Sequence, residues 1–95
     1  MSDRIMTLHP DGKKGVRIEA MKYEEIKQAI LACLRERETL FRDLPAFVAA
    51  HLTAPFDGSI GWYTTTVKLD LEARGLIERV PGHSPQKLRL ARQRD

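Results

Sequence analysis

The side chains best suited to covalent or metal chemistry are sparse: one cysteine, Cys33, and three histidines, His9, His51 and His83. Cys33 falls in step with the apolar positions of a helical stripe, which predicts a small buried hydrophobe. A lone cysteine also forms no intrachain disulfide. The histidines lie far apart and without i, i+4 partners, so a metal site would have to converge from distant segments, and no metal is expected. Gly12-Lys13 lacks the remaining spacing of a phosphate loop. Glu24, Glu25, Asp70 and Glu72 fall on helix faces that read as polar, where solvation is the ordinary state. Local spacing supports no Ser-His-Asp or Cys-His arrangement. The expectation is therefore a protein without catalytic activity or cofactor.

What remains is the chemistry of contact. The net charge of +3 is unevenly spread. Residues 1–25 carry five basic and five acidic side chains and residues 26–75 carry six of each, whereas residues 76–95 hold Arg79, Lys87, Arg89, Arg92 and Arg94 against Glu78 and Asp95. The whole excess sits in the last twenty residues, where a local positive field would attract phosphate.

The elements that position these groups follow from pattern. A chain of 95 residues suits one domain with one modest core. Its 42% hydrophobic and 31% charged residues describe an ordinary globular protein, and no apolar run approaches membrane-spanning length. Residues Met1 to Leu8 lack the pattern of a secretory signal, so a cytoplasmic location is expected. Residues 1–19 read as an extended arm or hairpin, with apolar pieces around Ile5–His9 and Val16–Glu19 and a turn from Pro10 to Gly15.

Residues 20–92 read as the domain proper, and 93–95 as a tail. Tyr23, Ile26, Ile30, Cys33 and Leu34 recur at three and four residues and predict a helix from Met21 to Glu36. Thr39-Leu40-Phe41 is a short extended piece. A second helix is predicted from Arg42 to Leu52, with Pro45 tolerated in its first turn and Leu44, Phe47, Val48 and Leu52 buried. Ser59 can cap a third helix that Gly75 ends in a left-handed conformation. Leu76–Val80 and Lys87–Ala91 then read as a two-stranded hairpin across Pro81-Gly82-His83-Ser84-Pro85.

Three helices followed by a hairpin, with the ending Leu71-Glu72-Ala73-Arg74-Gly75-Leu76-Ile77, resemble the winged helix-turn-helix superfamily over about Lys22 to Arg92. The stretch Gly61-Trp62-Tyr63-Thr64-Thr65-Thr66 also resembles a small family of stand-alone bacterial winged-helix proteins, which implies a fold and no activity. The superfamily implies an α+β winged helix that binds double-stranded DNA, with the third helix in the major groove and the wing on phosphates.

Fold does not decide function, so the third helix has to be judged by its own residues. At about 100° per residue, Ile60, Tyr63, Thr64, Val67 and Leu71 face the core. Trp62, Thr66, Leu69 and Ala73 face away, flanked by Thr65, Lys68, Asp70 and Glu72. On the first reading, Thr65, Thr66 and Lys68 touch bases or phosphates, Trp62 packs on sugar or a thymine methyl, and Arg79, Lys87 and Arg89 supply electrostatic affinity. On the second, Trp62 and Leu69 anchor a protein interface. On the third, the arm folds over both and makes them core. DNA binding with a regulatory role is the leading expectation, and a protein-interaction or dimerisation module the alternative. A homodimer is also expected, because helix-turn-helix regulators usually read two half-sites. Leu31 and Leu40, which fall off the core stripes, could join the arm in its interface.

Overall fold

Thr7 and Gly15 close the first element. In the computed structural model, which describes residues 3–92, the Thr7 amide and hydroxyl both donate to the carbonyl of Val16, and the Val16 amide donates back to the Thr7 hydroxyl at 3.0 Å. A β-carbon on Gly15 would lie 1.8 Å from the Thr7 carbonyl oxygen, so only glycine lets the two strands approach. The result is an antiparallel hairpin of β1 (Arg4–Met6) and β2 (Arg17–Glu19), in which Arg4 faces Glu19, Ile5 faces Ile18 and Met6 faces Arg17. Ile18 is buried in the core and Ile5 packs partly against it, so the hairpin is an integral layer of the domain.

The chain runs from β2 directly into α1 (Ala20–Glu36). Tyr23, Ile26, Ala29, Ile30, Cys33 and Leu34 are buried along its inner stripe. After β3 (Thr39–Leu40) a short 3₁₀ turn, Phe41–Asp43, leads into α2 (Leu44–His51). Leu44 and Val48, one turn apart, point inward and are fully buried. Phe47 departs from the expected stripe and is 41% exposed. With only eight residues, α2 has room for one inward row, and a residue one step short of Val48 is rotated about 100° away from it.

Helix α3 (Ile60–Ala73) starts at Ser59, whose side-chain oxygen accepts from the Trp62 amide at 3.1 Å. At its other end Gly75 adopts φ +75°. The Leu76 amide donates to the Leu71 carbonyl and the Gly75 amide to the Glu72 carbonyl, the paired bonds of a Schellman stop. The stop turns the chain into β4 (Ile77–Arg79), which pairs with β5 (Lys87–Leu90) in antiparallel register.

The C-terminal sheet has three strands in the order β3-β5-β4, where a two-stranded wing was expected. Thr39 faces Leu88 and Leu40 faces Lys87, so the short extended piece before α2 supplies the third strand. Pairing on both edges leaves Leu88, in the central strand, completely buried. The architecture of the described residues is thus α+β: three α-helices and two small antiparallel sheets around one core. The expected tail, 93–95, including Arg94, lies outside the described residues.

Candidate interaction surface

The start of α3 presents the chain's one tryptophan to solvent. Trp62 is 47% exposed because Ile60, Tyr63, Thr64, Val67 and Leu71 take the inward positions. Its ring meets Tyr63 edge-on at 4.9 Å between centroids, and Tyr63 in turn meets Phe56 edge-on at 5.1 Å. The Lys22 ammonium lies 5.5 Å from the Tyr63 ring and 5.9 Å from Phe56, and pairs with Asp57 at 3.9 Å. Trp62 is therefore the outer member of a braced aromatic row linking α3, the preceding turn and α1. Phe56 and Lys22 were not anticipated as its support, because no local spacing connects residues 22, 56 and 62.

The rest of the outward face of α3 is less open than its sequence suggests. Thr65 is exposed, whereas Thr66 and Leu69 are half-buried. Lys68, expected at a base or phosphate, is 2% exposed. Its stem runs inward, and its ammonium contacts the carboxylate of Glu72, one turn on, and lies 4.7 Å from the Phe41 ring. Burial lowers the lysine's pKa, and the Glu72 contact opposes that effect. Glu72 is therefore a bridging partner and not a solvated residue of a polar face.

Asp70 departs furthest from expectation. It is completely buried and accepts three hydrogen bonds: from the Tyr23 hydroxyl at 2.5 Å, the Leu8 amide at 2.9 Å and Arg74 Nε at 2.9 Å. A buried carboxylate needs such partners, and here they come from α1, the hairpin and its own helix. The hairpin thus docks onto α3 at Asp70 and leaves Trp62 uncovered.

The cations of β4 and β5 all have carboxylate neighbours. Arg89 bonds Glu78, its register partner across the strands, at 2.6–2.7 Å. Arg79 reaches Glu72 at 3.3 Å and Lys87 reaches Glu38 at 3.8 Å. A charge tally along the chain misses this pairing, since Glu38 and Glu72 lie outside the last twenty residues. Arg4, Lys13, Lys14 and Arg17 of the hairpin form a second group of exposed cations. Leu31 packs against the core and Leu40 lies half-buried in β3, so neither projects from the surface as an anchor.

The fold brings Cys33 Sγ within 3.5 Å of His51 Nδ1, a contact that local spacing did not suggest. The same nitrogen lies 2.9 Å from the Phe47 carbonyl, which orients the ring along its own helix. Burial, with a smaller contribution from Glu36, pushes the Cys33 thiol pKa up, so the arrangement opposes the thiolate that nucleophilic chemistry needs. Among the described residues no group of three His, Cys, Asp or Glu side chains could hold a metal ion, and no helix is long and apolar enough to cross a membrane.

Comparison with curated proteins and with solved structures finds no significant match. Residues 4–88 do match a family described only as a family of unknown function, DUF6958. That span takes in both sheets almost entirely, all three helices and the aromatic row, and the chain belongs to this family.

Proposed function

We propose that this protein is a non-enzymatic interaction module of the winged helix-turn-helix type, acting in the cytoplasm, that binds a partner protein through the surface around Trp62. The observation that carries the reading is the half-exposed indole at the outer end of the Phe56–Tyr63–Trp62 row. A large aromatic group held rigid by its neighbours loses little side-chain entropy on binding, and such groups dominate interface energetics. The DNA reading is weakened because Lys68 is buried against Glu72 and Arg79, Lys87 and Arg89 already face carboxylates.

Duplex DNA binding remains the second reading, favoured by exposed Thr65 near the start of α3 and by the order of three helices before the terminal strands. Ion pairs at the surface are worth little and could exchange for phosphate contacts.

A photo-crosslinking side chain at Thr65, beside Trp62, discriminates the two in living cells. The interaction reading expects a discrete protein adduct that Trp62→Ala removes, and no binding of labelled duplex in fluorescence anisotropy at low salt. Duplex binding that falls steeply between about 50 and 200 mM salt and is lost on replacing Arg79, Lys87 and Arg89, with no protein adduct, would overturn it.

A further inference from the structure

A groove between α1 and the end of α2 plays no part in the Trp62 surface. It has a volume of about 540 Å³, with Ala29, Ala32, Leu52 and Met21 along its apolar lining and the carboxylates of Glu24 and Glu25 at its side. Met21 is 79% exposed, an unusual position for a flexible thioether that adapts readily to a partner surface.

The hairpin carries the complementary pattern. Ile5 and Ile18 face the domain, and side chains alternate along a strand, so Arg4, Met6, Arg17 and Glu19 share the outward face, with Glu19 opposite Arg4 and its carboxylate 3.8 Å from the Lys22 ammonium. Met6 is 44% exposed. One surface is thus an apolar side chain flanked by two guanidiniums, with the Glu19 carboxylate facing Lys22, and the other an apolar trough beside two carboxylates, of which Glu24 also lies within reach of Lys27 and Gln28. Within one protomer the hairpin is tied down by the Leu8–Asp70 bond and by Ile18, and it contributes nothing to the groove's lining.

We infer that the occupant of the groove is the hairpin of a second copy of this chain. Each protomer places Met6 in its partner's trough, with Arg4 and Arg17 against Glu24 and Glu25, and receives the same contact in return. The exchange is reciprocal and closes as a two-fold dimer. It leaves the Trp62 surface free and does not depend on what binds there.

Sedimentation equilibrium of the full chain at micromolar concentration tests the inference, with circular dichroism checking each fold. The wild type is expected to run as a dimer. Glu24→Lys/Glu25→Lys and Arg4→Glu/Arg17→Glu should each weaken it by about tenfold or more, equivalent to about 1.4 kcal/mol. An equimolar mixture of the two variants should recover the dimer, because both of its contacts are again between opposite charges. Met21→Ser should weaken the dimer without altering charge, and Trp62→Ala should leave it intact. A monomeric wild type, a dimer indifferent to both reversals and to Met21→Ser, or reversed variants that stay monomeric when mixed would each overturn the inference.

Discussion

The hydroxyl of Tyr23 donates to Oδ2 of Asp70 across 47 positions of sequence, at 2.5 Å and out of contact with solvent. The same carboxylate holds the Leu8 amide through its other oxygen, so one side chain joins α1, α3 and the N-terminal hairpin. Removing a donor from a buried carboxylate leaves part of its charge uncompensated.

Tyr23→Phe is accordingly expected to cost about 1.5–3 kcal/mol in urea denaturation. Burial, and then the Asp70 bond, raise the Tyr23 pKa from 10.0 to about 12. Because the folded value lies above the unfolded one, the stabilisation is complete below pH 10 and is lost as pH rises through about 12. Unfolding free energy measured across that window should fall more steeply for the wild type than for Tyr23→Phe. Parallel profiles would show that the phenol is not what titrates.

The close approach at Gly15 makes the hairpin sensitive to a single methyl group. Gly15→Ala places a carbon inside the contact distance of the Thr7 carbonyl and should destabilise the protein by about 2 kcal/mol or more. Hydrogen exchange at the Leu8 amide, which donates to Asp70, should accelerate as the hairpin lifts. Unchanged protection there would mean that the strands reorganise without separating.

Lys68 should behave as a structural residue. Lys68→Ala removes the ammonium from both Glu72 and the Phe41 ring, together with the buried stem, and should cost about 3 kcal/mol. Lys68→Met keeps the stem and should cost less, since Arg79 still reaches Glu72. Thermal melts of the two variants check the order. Equal and negligible losses would place the amine in solvent.

Cys33 should be slow to alkylate. Burial disfavours its thiolate, so native protein treated with iodoacetamide at pH 8 is expected to react at least about tenfold more slowly than urea-unfolded protein. Equal rates would instead show that the thiol is open to reagent in the folded protein.

Local pattern alone determined the three helices, the Ser59 cap, the glycine stop at Gly75 and the C-terminal strand pair, because periodicity, capping and turn chemistry act over a few residues. The inward face of α3 was legible for the same reason. Tertiary structure decided how the outward face is used. Lys68 and Asp70 occupy polar positions in the helical wheel, yet Phe41, Tyr23 and Leu8 arrive from distant segments and bury them. The third strand, the carboxylates beside the cations of β4 and β5 and the Cys33–His51 contact arise in the same way. The helical period gives the direction in which a side chain leaves the backbone; whether it then meets water, a counter-ion or an aromatic ring depends on which remote element packs there, and only the folded chain contains that information.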